Sequence, residues 1–409
     1  MKIVFVSFID STNIGDLLIV KVLEDKLMQE HTVSKYSFNL IPEKNISRVS
    51  TEVTNNKMKL FVKNIYNDVF RNLDLIDRLH LVKIKKNIDN NQYLDEFDND
   101  VKNCDLLIIG GGNAIFDLTK HSLSAYKFNK ILGIAKKYKK KSFVTSIGIG
   151  PFKTQKQIDY TIDTLKNADY ITVRDKKSFN YIKPLSEKAH LSIDPVFLLN
   201  KLTDEKVKKS TGEKELSICV IDLLLNKDNA KKYKEYISNF AKLINLLSKE
   251  NYKINLFSTE PRDYRAVNDV YNALDTTNNL NIVSIEDFED LVKLYSQTDL
   301  IIGTRMHSMI IGLSQYIPVI GLSWQDKVIE MFEMVNLSDD VFDINDFEAN
   351  ISNIVKLVSE KVNSDQVDEQ LLKIKNDNSE KFDINSKLLN RLFEDIAEEK
   401  DKIHGSKPL

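Results

Sequence analysis

Short apolar runs alternate with amphipathic stretches along most of the chain. An apolar run of about four to eight residues bounded by turn-forming residues is typical of a fully buried strand, whereas apolar residues three and four positions apart indicate a helix. The predicted strands of the first half are residues 3–7, 32–36, 106–109, 142–147, 170–173 and 189–193, and those of the second half are residues 216–221, 253–257, 281–284, 300–302 and 318–322. This alternation predicts an α/β protein with parallel sheets.

The two series of strands predict two domains. With 409 residues the chain exceeds the usual size of a single core. Residues 201–215 are charged and lack apolar periodicity, so we interpret them as a linker between Rossmann-like domains at residues 1–200 and 216–345 that face one another across a cleft. Residues 43–103 are predicted to form a helical insertion, and residues 346–409 to form helices that end in a polar tail.

Composition restricts the kind of protein. The chain has 58 Lys and Arg against 60 Asp and Glu, a net charge of −2, which argues against a nucleic-acid-binding protein with a basic surface. Cys104 and Cys219 lie beside apolar runs, which favours buried free thiols in a reducing compartment. The apolar run after Lys2 is too short for a signal peptide or a membrane span. We therefore expect cytoplasmic localisation; peripheral association with the inner face of the membrane stays open.

The most informative stretch is residues 299–327. A strand at residues 300–302 is followed by Thr304, a good helix-capping residue type, and by a helix that opens with Arg305 and His307. The strand at residues 318–322 is followed by a loop with Trp324 and Lys327. Groups at the carboxyl ends of parallel strands meet in the crevice where α/β sheets bind ligands, so we expect an imidazole and cations to converge there. The alternative for His307 is a capping or packing role.

Three turns of the first half carry further candidates. Asn13, Gly15 and Asp16 follow the first strand, where a ligand contact or a simple capped helix is expected. The glycine run that contains Gly111 and Gly112 indicates a need for bare backbone, at a ligand or in a tight turn.

Arg174 follows the strand at residues 170–173 and could hold a carboxylate or phosphate, or make a structural salt bridge. The six histidines show no metal-ligand spacing, and no GxSxG motif is present. We therefore predict no metal and no cofactor.

Taken together, these residues resemble the polysaccharide pyruvyl transferase family. The similarity rests on motifs in a fixed order: N-x-G-D at residues 13–16, D-x-x-x-x-GGG at 105–112, G-x-GP at 148–151, V-R-D-x-x-S at 173–178, D-P at 194–195, G-x-R-x-H-S at 303–308, and a proline followed nine residues later by lysine at 318–327. The set spans about residues 10–330.

The resemblance implies a fold similar to glycosyltransferases with two Rossmann-like domains (GT-B). It also implies transfer of a pyruvyl group from phosphoenolpyruvate, the co-substrate, to sugar hydroxyls, usually as a cyclic ketal. The acceptor would be a polysaccharide of the cell surface, such as cell wall or exopolysaccharide, or a lipid-linked or nucleotide-linked precursor.

Carried over by position, the resemblance makes Arg174, His307 and Lys327 the donor-binding and catalytic residues. It also places Asn13 at an active-site position. The remaining substrate-binding candidates are Gly15, Asp16, Gly111, Gly112, Arg305 and Ser308.

A histidine that titrates near neutrality can serve as the acid or base, and an arginine and a lysine can stabilise the carboxylate and the departing phosphate. The sequence departs from the family at Trp324, where a tyrosine is common, and residues 43–103 match no family motif. Two rival hypotheses stay open: a nucleotide-sugar-dependent glycosyltransferase of the same fold, and a non-catalytic protein that binds a glycan or a partner.

Overall fold

The computed structural model describes residues 1–46, 82, 85–117, 123–200, 214–223, 230–364 and 366–405. Most of the predicted helical insertion and of the predicted linker lies outside these residues, as does the end of the polar tail. Among the described residues, no helix combines the length and the apolar character needed to cross a membrane.

A parallel sheet organises the first half of the chain. Its strand order is β2-β1-β3-β5-β6-β7, with β4 paired to β5. The strands are β1 Lys2–Ser7, β2 Thr32–Ser37, β3 Leu106–Gly110, β4 Asn113–Ile115, β5 Lys141–Ile149, β6 Tyr170–Val173 and β7 Ala189–Leu191. The helices are α1 Ile14–Leu27, α2 Leu94–Asn103, α3 Ser124–Lys137, α4 Gln155–Leu165 and α5 Lys176–Tyr181.

A second parallel sheet follows, with the order β10-β9-β8-β11-β12-β13. Its strands are β8 Glu215–Cys219, β9 Lys253–Phe257, β10 Leu280–Ile282, β11 Leu300–Gly303, β12 Val319–Ser323 and β13 Val341–Asp343. The helices are α6 Ala230–Lys249, α7 Tyr264–Asn272, α8 Phe288–Gln297, α9 Met306–Ser314, α10 Asp326–Met334, α11 Phe347–Val362 and α12 Gln366–Gly405.

The apolar runs form strands because the central strands are covered on both faces. Strands β3, β8, β11 and β12 are buried at every residue. Strands β4 and β13 were not predicted. Strand β4 directly follows the glycine run and β13 directly follows the 3-10 turn Ser338–Asp340, so neither stands out as an apolar run bounded by turn residues.

The chain folds into two compact units that are not continuous in sequence. The first unit consists of Met1–Asp10, Leu23–Ser192 and Ile384–Leu409, and the second of Ser11–Val22 and Ile193–Asp383. The predicted domains, by contrast, are continuous. Each short segment belongs to the unit that holds its bonding partners, as the backbone N–H of Ile14 donates to the carbonyl oxygen of Thr259 at 3.4 Å.

Asn385, midway along α12, ties this helix to the first sheet. Its side-chain oxygen accepts hydrogen bonds from the hydroxyl groups of Thr145 at 2.9 Å and Thr172 at 2.5 Å, and its amide donates to Ser192 Oγ at 2.6 Å. All four side chains are buried. Since buried polar groups are costly unless they are paired, this network fixes α12 against β5 and β6.

Candidate functional site

The helix that carries His307 begins one residue later than the sequence predicts. Strand β11 ends at Gly303, Arg305 has the extended backbone of an N-cap residue, and α9 starts at the next residue. Thr304 donates its hydroxyl proton to the carbonyl oxygen of Cys219 at 2.9 Å. The prediction that Thr304 caps this helix is therefore wrong, because its side chain satisfies the neighbouring strand β8 instead.

His307 lies between a bare backbone turn and a carboxylate, all within the second unit. A Cβ atom added at Gly15 would lie 2.3 Å from Cγ and Nδ1 of the imidazole. Only glycine therefore allows the ring this position. The other ring nitrogen, Nε2, lies 3.5 Å from Oδ2 of Asp194. The side chains of His307 and Asp194 are 11% and 5% exposed, so this pair is largely shielded from water.

Asp194 is held in place by its own turn. It caps the 3-10 turn Pro195–Leu198, where its Oδ1 accepts a hydrogen bond from the backbone N–H of Val196 at 3.1 Å. Its other carboxylate oxygen, Oδ2, is the atom that lies near His307. A carboxylate beside an imidazole fixes the orientation of the ring and stabilises the imidazolium that forms when the ring takes up a proton. Nε2 is buried and makes no hydrogen bond within the described part of the chain, so Asp194 is the group that a proton on this nitrogen would face.

Asn13 and Asp16 build the turn that presents Gly15. Oδ1 of Asn13 accepts from the backbone N–H of Gly15 at 2.8 Å, and Oδ2 of Asp16 accepts from the hydroxyl of Ser11 at 3.0 Å. These bonds organise the start of α1, as the capped-helix alternative requires. They also bring the glycine against the imidazole, so the bare backbone at Gly15 meets His307.

Arg305 is engaged by a buried carboxylate. Its Nε and Nη2 each lie 2.6 Å from Oδ2 of Asp263, which is fully buried. Burial by itself lowers the pKa of Arg305, but the hydrogen bond and the charge of Asp263 raise the pKa above its ordinary value. Asp263 also accepts hydrogen bonds from Ser258 Oγ at 3.0 Å and from the backbone N–H of Asp222 at 3.1 Å. The guanidinium is therefore a fixed, permanently charged group beside the start of α9.

Ser308 and Lys327 occupy different environments in the second unit. Ser308 is fully buried, and its hydroxyl donates to the carbonyl oxygen of Arg305 at 2.6 Å.

Lys327 was expected in a loop but lies in the first turn of α10, because α10 begins directly after the turn that follows β12. Trp324 in that turn donates from Nε1 to the carbonyl oxygen of Thr304 at 3.2 Å, which joins the ends of β11 and β12.

Arg174 lies in the first unit, at the end of β6. Its side chain is 6% exposed, and its Nε is 4.0 Å from Oδ2 of Asp175. A Cβ atom added at Gly148 would lie 3.1 Å from Nε of Arg174 and 2.9 Å from Oδ1 of Asn113. Asp175 caps α5 by accepting from the backbone N–H of Ser178 at 2.6 Å. The start of β4, the end of β5 and the N-cap of α5 thus surround a buried cation.

Each glycine of the run at residues 110–112 is required by the local structure. A Cβ atom at Gly110 would lie 2.6 Å from Leu23 Cδ1 and 2.8 Å from Phe5 Cε2, so α1 packs closely on the sheet there. Gly111 and Gly112 have φ of 74° and 69°, a left-handed backbone that other residues rarely adopt. A tight turn therefore accounts for the run.

The structure brings the candidates together in two groups. Around α9 in the second unit lie Asn13, Gly15, Asp16, Arg305, His307 and Ser308, whereas the ends of β3 to β6 in the first unit hold Gly111, Gly112 and Arg174. Sequence reasoning missed the roles of Asp194 and Asp263. The D-P turn was a signal for the first, but nothing in the sequence pattern pointed to Asp263. Among the described residues, no three His, Cys, Asp or Glu side chains are grouped so as to hold a metal ion.

Solved structures share this fold. The UDP-GlcNAc 2-epimerase of Methanocaldococcus jannaschii is 13% identical with a TM-score of 0.50, over 89% of this chain and 93% of that one. A candidate UDP-N-acetylglucosamine 2-epimerase of Listeria monocytogenes is 10% identical with a TM-score of 0.53, over 91% of each chain. A chain of the Streptococcus pneumoniae accessory secretory protein 1, 2 and 3 structure is 13% identical with a TM-score of 0.48, and this protein covers 57% of it with 75% of its own length.

Two parallel-sheet units followed by a helical carboxyl-terminal segment, together with the first two likenesses, confirm the predicted glycosyltransferase B-like fold class. No curated protein matches the sequence significantly. The family model for polysaccharide pyruvyl transferases, however, matches residues 13–326, from the Asn13 turn to the start of α10. This range contains both groups of candidate residues, the one around α9 with His307 and the one at the ends of β3 to β6 with Arg174. It covers most of the 409-residue chain. The protein belongs to the polysaccharide pyruvyl transferase family.

Proposed function

We propose that this protein transfers a pyruvyl group from phosphoenolpyruvate to two hydroxyl groups of a sugar, which forms a cyclic pyruvate ketal. The observation that carries the proposal is His307, which lies against Gly15 with its Nε2 3.5 Å from the carboxylate of Asp194. Family membership supports the choice of reaction. The acceptor sugar is part of a polysaccharide or of a lipid-linked or nucleotide-linked precursor.

The reaction requires protons to move at defined positions. The first sugar hydroxyl adds to C2 of phosphoenolpyruvate and loses its proton, while the methylene carbon C3 gains a proton and becomes a methyl group. The second hydroxyl then attacks C2 and loses its proton as phosphate departs, so that phosphoenolpyruvate and a diol yield the ketal and inorganic phosphate. A single acid/base residue can take the first proton and deliver one to C3.

His307 is the acid/base in this proposal, and Asp194 is the residue that positions it. The resemblance to the family assigns Arg174 and Lys327 to donor binding, and cations that form charge-assisted hydrogen bonds hold a carboxylate and a phosphate well. Arg305 forms an ion pair with the buried Asp263, which fixes its guanidinium so that it offers N–H donors to the phosphate from a set position. Preorganised charges of this kind favour the phosphate leaving group without rearrangement during the reaction.

Calorimetric titration with phosphoenolpyruvate, beside a panel of nucleotide sugars, tests the donor. We expect saturable binding of phosphoenolpyruvate that is lost in Arg174→Ala and Lys327→Ala. The matched controls are Arg262→Ala and Lys293→Ala, whose side chains are 59% and 76% exposed in the same structure and which should bind as the parent protein does. Binding of a nucleotide sugar alone would refute the proposal and favour a glycosyltransferase.

Turnover of His307→Ala tests the acid/base. We expect this variant to lose phosphate release in the presence of the acceptor while it binds phosphoenolpyruvate with little change, because the imidazole acts on protons rather than on donor affinity. Unchanged phosphate release would exclude His307 as the acid/base.

A further inference from the structure

A second feature of the first unit is a cavity that the reaction above does not use. Its volume is about 250 Å³, and its walls include Phe38, Leu40, Ile88, Asn91, Lys127 and Ile131. Residues 38–40 directly follow strand β2, and Lys127 lies in the first half of α3, which leads into the start of β5. The cavity is therefore at the carboxyl-terminal edge of the parallel sheet, where ligands of α/β proteins bind.

Phe38 lines the cavity and belongs to a stack of aromatic rings. The ring of Phe38 lies 4.6 Å from that of Phe8 and 5.3 Å from that of Phe128, with the second pair stacked at 26°. Phe128 is buried in the core, so the stack holds Phe38 in one orientation. A fixed aromatic face offers a flat apolar surface to a ligand. The C–H face of a pyranose ring has the matching shape and polarity.

The polar wall is organised around Asn39. Its side-chain oxygen accepts from Lys127 Nζ at 2.6 Å, its side-chain amide donates to Asp10 Oδ2 at 3.3 Å, and its backbone carbonyl accepts from Asn91 Nδ2 at 2.6 Å. These bonds orient the ammonium group and the amides along one side of the cavity. Such groups hydrogen-bond to sugar hydroxyls and to anionic substituents.

Lys127 differs from its neighbour Lys130 in its charge balance. Lys130, nearly one helical turn later, also lines the cavity but pairs with Asp89 at 3.1 Å. Within the described part of the chain, Lys127 makes no ion pair; it bonds to the neutral Asn39. Burial lowers the pKa of Lys127, and only the more distant Asp10 acts in the opposite direction. An anionic group in the cavity would supply the counter-charge that this ammonium lacks.

We propose that the cavity binds one pyranose unit of the acceptor, with its apolar face on Phe38 and a carboxylate or phosphate substituent on Lys127. The volume of about 250 Å³ is below the roughly 300–1,000 Å³ of sites for larger ligands, so it suits a single monosaccharide. This inference rests on the proposed function only in naming the ligand as the acceptor. The predicted specificity is for a charged sugar over a neutral one.

Binding titrations with the full chain test the proposal. The probes are D-glucuronate for the carboxylate, D-glucose 6-phosphate for the phosphate, and D-glucose as the neutral sugar, with phosphoenolpyruvate titrated in parallel. We expect at least one charged sugar to bind with an affinity about tenfold above that of glucose, since a hydrogen bond to a charged group is worth about this factor. The preferred probe identifies the substituent.

Three variants locate the binding. Lys127→Gln should lose about tenfold in affinity for the charged sugar and keep its affinity for phosphoenolpyruvate. The control is Lys136→Gln on the same helix, an exposed lysine outside the cavity whose Nζ donates to Asn167 Oδ1 at 3.0 Å; it should bind both ligands as the parent protein does. Arg174→Ala should leave the charged sugar bound, which separates the cavity from the Arg174 group. Ile88→Trp, which fills the cavity from its rim, should abolish sugar binding while the thermal transition of the protein persists.

The outcomes separate the two proposals. If phosphoenolpyruvate binds but no sugar binds saturably, or if Lys127→Gln binds the charged sugar unchanged, the cavity proposal is overturned and the proposed function stands. If the charged sugar binds through Lys127 and phosphoenolpyruvate does not bind, the proposed function fails and the cavity stands as a site for an anionic sugar.

Discussion

Replacing Gly15 by alanine is the sharpest test of how the protein holds His307. The new Cβ atom would lie 2.3 Å from Cγ and Nδ1 and 2.4 Å from Cβ of His307. Rotation of the imidazole cannot relieve the contact with the Cβ atom of the histidine, so the backbone must move. Ordinary van der Waals contact begins at 3.4 Å, which requires a displacement of about 1 Å.

A displacement of this size predicts a large loss of activity. Misplacement of a catalytic group by about 1 Å can reduce turnover about 100-fold, whereas overpacking typically destabilises a protein by only about 1–3 kcal/mol. We therefore expect Gly15→Ala to remain folded and to bind phosphoenolpyruvate, but to release phosphate about 100-fold more slowly with the acceptor. The assay is initial-rate phosphate release together with urea unfolding.

The control is Gly133→Ala in helix α3. A Cβ atom there meets nothing within 4 Å, so this substitution should leave turnover unchanged and raise the free energy of unfolding by about 0.5–1 kcal/mol. If Gly15→Ala turned over at the parent rate, or lost activity only in proportion to the unfolded fraction, the assignment of His307 as acid/base held by the Asn13 turn would be refuted.

Three further predictions concern Asp194, Asn385 and His190. Asp194→Asn keeps an oxygen that can cap the turn at Val196 but removes the charge beside His307. In this variant kcat should fall about tenfold or more with little change in phosphoenolpyruvate affinity. Equal kcat values in the variant and the parent protein would contradict a positioning role for Asp194. Asn385→Ala leaves buried hydroxyls unpaired and should cost about 2–3 kcal/mol in urea unfolding, against little change for the exposed control Asn376→Ala. Burial and Arg391 lower the pKa of His190 below its ordinary value of 6.5. The unfolded chain therefore binds this proton more readily, so the contribution of His190 is present above about pH 6.5 and declines as the pH falls. The unfolding free energy should drop less between pH 7 and pH 5 in His190→Gln, and identical drops would exclude this effect.

The apolar pattern was sufficient to predict most of the sheet. Strands β6 and β9 have the predicted bounds, and the other predicted strands differ by one or a few residues at their ends. The pattern works because central parallel strands are apolar throughout. It failed for β4 and β13, which do not stand out from the turns that precede them, and at Thr304, whose hydroxyl bonds to another strand rather than to its own helix.

The candidate site was predictable only in part, since its contacts join distant segments. The sequence pointed to Gly15 and to His307 separately. It did not show that the imidazole of His307 occupies the space where a side chain at position 15 would begin. The pairing of Arg305 with Asp263 is likewise a tertiary contact without a local signal. Local spacing reports on neighbours along a strand or helix and carries no information on which turns meet across a sheet edge.

The bonds of Asn385 also determine the order in which the protein is completed during its synthesis. The hydroxyl groups of Thr145, Thr172 and Ser192 leave the ribosome 193 residues or more before their buried partner does. At about 5–20 residues per second, this interval lasts about 10–40 s. Throughout it the nascent first sheet has these hydroxyls without the amide that pairs them, while the second unit is translated in full. The unit that is begun first is therefore the one that is finished last.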